Sequence, residues 1–184
     1  MIKYILSLLF LFLAGCKAGE SVIIDAPVEK VWEYASNSNN AKEWSVYFDH
    51  ISPLPGIPDG QVGALRRCFR RADETGMFWD EEVKVIRPLE YREIRTFNIN
   101  GYREAKLNSV EYKVEQIYEK LNDQKTRLTF NASLAKGWDL QAVYYILRDF
   151  RAGNRVFRLN LENIKAQIEG HGRPHPYEPT SQWD

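Results

Sequence analysis

Apolar and polar positions change period several times along the chain. Tyr4 to Ala14 is a nearly unbroken apolar run, interrupted only by Ser7. Ser21-Val22-Ile23-Ile24 is a β-branched run that predicts a strand, and Val28, Val31, Trp32 and Ala35 then recur at helical spacing. The switch falls at Asp25-Ala26-Pro27. Proline suits a first helical turn, where the missing N–H would have had no partner anyway. A second short helix is predicted over 40–44, after the polar stretch SNSNN. Six further strands follow, over 48–54, 64–71, 77–86, 91–99, 110–120 and 126–134. The breaks between them hold turn residues such as Pro55-Gly56, Asp59-Gly60, Gly76, Pro88, Asn100-Gly101 and Asn122-Asp123. Leu147, Phe150, Phe157, Leu161, Ile164 and Ile168 largely keep a spacing of three or four, which predicts one long helix over 140–169. The tail HGRPHPYEPTSQWD, from 171 to 184, reads as irregular.

This order of elements predicts an α+β fold of about seven antiparallel strands, with two short helices after the first strand and one sheet face under the long helix. The 184 residues suit one such domain, over 21–170. The first apolar run is too short to cross a bilayer, which takes about 20 helical residues, but it suits the core of a signal peptide over 1–15. Leu13-Ala14-Gly15-Cys16 then resembles the bacterial lipobox. That resemblance implies cleavage before Cys16 and attachment of acyl chains, palmitate among them, to its thiol. Residues 16–20 would be the lipidated cysteine and a short tether. With Lys17 after the cysteine, the expected place is the cell envelope, on the outer membrane facing the periplasm in a Gram-negative cell.

Lysine and arginine number 25, as do aspartate and glutamate, so no net basic charge favours nucleic acid. Cys68 is left without a disulfide partner and reads as a small buried apolar residue. His171 and His175 are four apart but lie in a proline-rich tail, so a metal site is not expected. No phosphate loop, zinc signature or Ser-His-Asp set stands at a recognisable spacing, and no cofactor is expected.

Strand alternation suggests where polar chemistry could sit. Trp79, Glu81, Val83 and Val85 share one face of the predicted fourth strand, and Arg66, Cys68 and Arg70 share one face of the third. If both faces point inward, Arg66 and Glu81 meet, either as a pair at a cavity or as an exposed ion pair at the sheet rim. The opening VIIDAPVEKVWEYA, the stretch Gln61-Val62-Gly63-Ala64-Leu65-Arg66 and the closing RVFRLNLENIKAQIEG resemble the SRPBCC superfamily over about residues 20 to 170. That group includes START lipid-transfer, birch-pollen-allergen-like and polyketide cyclase/dehydrase-like proteins. The resemblance implies a helix-grip fold, a curved sheet around the long helix with a cavity between them. The candidate ligand-binding residues are Trp44, Tyr47, Arg66, Trp79, Glu81, Tyr112, Phe157 and Leu161, with Trp44 and Tyr47 as a gate. Arg66 and Glu81 are the candidates for acid/base work. The absence of a catalytic signature tilts the expectation away from an enzyme. It favours a membrane-anchored carrier of a small hydrophobic ligand or lipid over a polyketide cyclase/dehydrase-like enzyme or an envelope protein-interaction module.

Overall fold

Strand β1 (Lys17–Ile24) begins four residues before the predicted Ser21. Lys17, Ala18, Gly19 and Glu20 stand opposite Ser133, Ala132, Asn131 and Phe130 of β7 (Lys125–Lys136), so these residues belong to the sheet. The structure is a computed structural model that describes residues 17–101, 110–136 and 140–177, with side chains described for 18–101, 110–136 and 153–177. The signal-peptide segment, Cys16 and the tail beyond 177 lie outside the described residues, as do Trp138 and the side chains of Tyr144, Tyr145, Leu147 and Phe150.

After β1 the chain turns at Pro27 into α1 (Val28–Ser36), which buries Val28, Val31 and Ala35. A single 3₁₀ turn, Ser38–Asn40, is started by the Asn37 side chain, which accepts from the Asn39 N–H at 3.0 Å. It runs into α2 (Ala41–Trp44). Strands β2 (His50–Pro53), β3 (Leu65–Phe69), β4 (Phe78–Arg87), β5 (Tyr91–Asn100) and β6 (Glu111–Asn122) follow. The long helix α3 (Leu140–Glu169) has the predicted bounds. The seven strands form one antiparallel sheet in the order β1-β7-β6-β5-β4-β3-β2. Its inner face carries Ile24, Leu128 and Phe130, which pack with Leu161, Ile164 and Ile168 of α3 and Val31 of α1. This is the helix-grip α+β arrangement.

Two departures from the predicted strands have local causes. β2 starts at His50 rather than 48 because the Ser45 hydroxyl accepts from the N–H groups of Tyr47 and Phe48, at 3.1 and 3.0 Å, and holds that stretch in a turn. In β4 the alternation breaks at Lys84, an extra residue between the pairs Val83↔Ile94 and Val85↔Glu93. Trp79, Glu81 and Val83 face inward as predicted, but Val85 is turned out and is 37% exposed. The bulge leaves Ile86 opposite Arg92, and alternation along β5 puts Arg92 in the inward row with Ile94 and Thr96.

Gly101 closes β5 with φ +72°, and a Cβ there would stand 2.8 Å from the Gly76 carbonyl and from the Met77 Cα. Both obstacles are backbone. Gly101→Ala is therefore expected to destabilise the fold by about 1–3 kcal/mol. Urea unfolding should show a lower midpoint with an unchanged slope.

The tail is without regular structure through Tyr177, yet it is tied down. Arg173 donates to the carbonyls of Ser45 (2.5 Å) and Lys42 (3.1 Å). The His175 N–H donates to Asn163 Oδ1 at 2.9 Å, while Asn163 Nδ2 donates to the carbonyls of His175 (2.8 Å) and Trp44 (2.9 Å). Asn163 is fully buried on α3. The tail thereby straps α2 and the loop after it to the helix.

Candidate active-site cavity

The sheet curves away from α3 between α1, α2 and the strands β3 to β6, leaving a cavity of about 150 Å³. An apolar cavity of that size in another protein admits benzene, so the space suits one ring or a short chain. Most of the wall is apolar: Trp44, Tyr47, Phe48 and Ile51 on one side, Trp79, Ile94, Val114 and Phe130 on the sheet, and Val156 and Phe157 on α3. Trp44 meets Phe48 and Phe130 edge-on, and Tyr47 leans on Trp79 with ring centroids 5.4 Å apart. These contacts make Trp44 a wall residue, only 7% exposed. The Tyr47 ring is held from its other side by the Arg70 guanidinium, 4.4 Å from its centroid.

One end of the cavity is polar. Residues Ser36 to Ser38, at the junction of α1 and the 3₁₀ turn, line it with Arg66, Glu81, Arg92 and Gln116, and Ser38 and Ser36 are bonded to Arg66 and Arg92. Register puts Arg66 directly opposite Glu81, so the pair is built by the β3–β4 ladder. Arg66 Nε and Nη2 reach Glu81 Oε2 at 2.8 and 2.6 Å, and Nη1 donates to the Ser38 hydroxyl at 2.5 Å. Asp59 Oδ1 stands 4.0 Å from the same Nη1. The other Glu81 oxygen accepts from the Trp79 indole N–H at 3.1 Å. The Arg66 and Glu81 side chains are 6% and 12% exposed, which makes this a buried pair in the cavity wall and not a pair at the rim.

The charges determine the protonation states. Burial alone would raise the Glu81 carboxyl, but Arg66, the Trp79 N–H and Arg92 outweigh it and hold the pKa below the ordinary carboxylate value. Glu81 is thus ionised at neutral pH and can only accept. Burial, then repulsion by Arg66, brings Arg92 down to about 10, so it remains a cation at neutral pH. Burial pushes the Cys68 thiol well up, so this fully buried cysteine is no nucleophile. Among the described residues, two buried donors on the cavity residues have no partner: Trp44 Nε1 and Arg92 Nη2.

Six of the eight residues expected to touch a ligand line the cavity: Trp44, Tyr47, Arg66, Trp79, Glu81 and Phe157. Tyr112 and Leu161 do not. Tyr112 lies opposite Thr96 and Leu134 and packs, partly buried, against the hydrophobic core. Leu161 is one helical turn beyond Phe157 and is sealed in the core at 1% exposure. Sequence reasoning missed Arg92, Thr96, Gln116 and Asn160. Arg92 shares its parity with Ile94 and Thr96, a signal that was present but masked by the charge. Among the described residues no three His, Cys, Asp or Glu side chains converge as metal ligands.

A family model described as polyketide cyclase / dehydrase and lipid transport matches residues 16–169. The chain belongs to this family. Membership in the polyketide cyclase/dehydrase and lipid transport family corrects the expectation that tilted away from an enzyme, because it points toward enzymatic activity. That expectation relied on catalytic signatures with fixed spacing, whereas a cavity assembled from separate strands leaves none in the sequence. Solved structures share the fold. The Zhui aromatase/cyclase from Streptomyces sp. R1128 superposes with a TM-score of 0.62 at 14% identity, over 83% of this chain and 93% of that one. A protein from Arthrobacter aurescens gives 0.63 at 14% identity, over 92% of each chain. DynU16, from the dynemicin biosynthetic locus, gives 0.60 at 23% identity over 88% of this chain, which spans only 50% of DynU16. No curated protein matches the chain by sequence.

Proposed function

We propose that the chain is a cyclase/dehydrase-type enzyme acting on a small, mostly apolar molecule that carries ketone groups. The observation that carries this reading is the buried Arg66–Glu81 pair in the wall of a cavity otherwise lined by rings and aliphatic side chains. Guanidinium N–H groups in a dry site stabilise negative charge as it develops on an enolate oxygen. An ionised carboxylate beside them accepts a proton. Glu81 would take a proton from the carbon between two carbonyls, the enolate carbon would bond to the carbon of a further carbonyl, and the resulting alkoxide would receive the proton that Glu81 had taken. Loss of that hydroxyl with a neighbouring hydrogen, as water, would complete a dehydration. A carboxylate held below its ordinary pKa is a weak base, which suits carbon acids already acidified by two carbonyls.

The test is incubation with a short poly-β-ketone thioester, followed by mass spectrometry for a product lighter by one water. Glu81→Gln is expected to abolish that product. Product formation at the wild-type rate in the variant would remove Glu81 from the mechanism, and its absence with wild-type protein would count against the enzyme reading.

We also propose that the enzyme is held at a membrane of the cell envelope by lipid on Cys16. Supporting this, β1 begins at the very next residue. Its start lies against α3 at Gly153 and Asn154, where the Gly19 N–H donates to Asn154 Oδ1 at 2.9 Å, one turn from the cavity residues Val156 and Phe157. Such an anchor would leave almost no tether and would keep the cavity close to the bilayer. Cys16→Ala should abolish labelling by an alkyne-tagged palmitate in a bacterial host; labelling that persists would refute the anchor.

A further inference from the structure

Among the described residues, Arg92 differs from the other buried arginine of the cavity in having no carboxylate within ion-pair distance. It is 2% exposed, and its one hydrogen bond runs from Nη1 to the Ser36 carbonyl at 2.9 Å. Its Nη2 is buried and without a partner. Arg66, by contrast, pairs with Glu81 and bonds the Ser38 hydroxyl. Glu81 bonds Arg66 through Oε2 and Trp79 through Oε1 and makes no hydrogen bond or ion pair with Arg92. The charged residues lining the cavity are therefore two cations and one anion. A buried guanidinium lacking both solvent and a counter-ion is costly to the fold. Buried polar groups left without partners tend to mark a function.

The other partnerless polar atom on the cavity residues, Trp44 Nε1, is also a donor. Two unused N–H donors, one of them on a guanidinium with no ion pair of its own, call for an acceptor-rich group, and with Glu81 and Asp59 already near the two arginines the site suits no more than one further negative charge. A carboxylate has that charge, whereas a phosphate monoester carries about −1.5 to −2 at neutral pH. The remaining wall, with Ile94, Val114, Phe130 and Phe157, is apolar, and about 150 Å³ leaves room for one ring or a short chain.

We propose that the cavity takes a small apolar monocarboxylate, with Arg92 as the residue that seats its carboxylate. This rests on the cavity being the ligand site, as in the proposed function, but not on catalysis there. The probes are benzoate and benzamide, which share a shape and differ in charge. By isothermal titration the wild-type protein should bind benzoate roughly tenfold or more tightly than benzamide. Arg92→Gln should lower benzoate affinity by roughly 10–100-fold and benzamide affinity by far less. A measurement on the wild-type chain guards against a variant that fails to fold. With ¹⁵N-labelled arginine, the guanidinium resonances of Arg92 should shift much further on adding benzoate than on adding benzamide.

Equal affinity for the two probes, no binding of either, or an Arg92→Gln protein that keeps its preference for benzoate would overturn the proposal. Benzoate has no ketone to condense. Failed turnover with benzoate selectivity intact would strike only the enzyme reading, and lost selectivity with turnover intact would strike only this one.

Discussion

Glu81→Leu is expected to lower stability by about 3–5 kcal/mol at neutral pH, because it leaves the Arg66 guanidinium buried without its counter-charge. The double variant Glu81→Leu with Arg66→Met should recover most of that loss, since two apolar side chains of similar volume replace a pair whose desolvation was itself costly. Denaturant unfolding of the four proteins gives the coupling directly. The pH dependence adds a second signature. The Glu81 carboxyl lies below its ordinary value in the folded chain and near 4.3 in the unfolded one (an approximate reference value), so the folded state binds its proton less readily. The stabilisation is fully present above that unfolded value and is lost as pH falls through the lower, folded one. Stability of Glu81→Leu should therefore fall less steeply in acid than that of the wild type. Equally steep acid limbs would show that this pair does not govern acid sensitivity.

Asn163→Ala should have the second large effect, about 2–4 kcal/mol. It removes three hydrogen bonds and leaves the Trp44 carbonyl and the His175 N–H without their partner, while the His175 carbonyl keeps only the Arg173 Nε–H. The position is fully buried, so water cannot take over freely. Amide exchange in the tail up to Tyr177 and in α2 should accelerate far more than in β6 and β7. A uniform acceleration would mean that Asn163 supports the core in general and not the strap in particular.

The architecture was legible because its signals are local. The switch at Pro27, the turn residues between strands and the spacing along α3 each act within a few residues. The inward faces of β3 and β4 were legible too, up to the bulge at Lys84. A bulge inserts one residue without changing composition, so simple alternation carried Val85 to the wrong side. The cavity was harder to read because it depends on register. Arg66 and Glu81 could be paired only by assuming how two strands align, and Arg92 enters the site through its alignment with Ile86 on one side and Gln116 on the other. Tyr112 and Leu161 show the opposite error: both are on inward faces, but an inward residue can meet either the cavity or solid core. The strap was illegible, since a proline- and histidine-containing tail gives no sign that one buried asparagine far along the helix receives its backbone.

The position of β1 at the sheet edge, where β7 is its one strand partner among the described residues, also determines the order in which the domain can be completed. Lys17 has no strand partner until Ser133 has been made, and α3, which covers the sheet, comes later still. A closing contact across so much sequence must offset a large loop entropy, and folds dominated by such contacts close slowly. The meander from β2 to β7 is free to zip in order as it emerges. The amino-terminal strand instead waits as an unpaired edge, and only after release of nearly the whole chain does it lock both ends of the domain together.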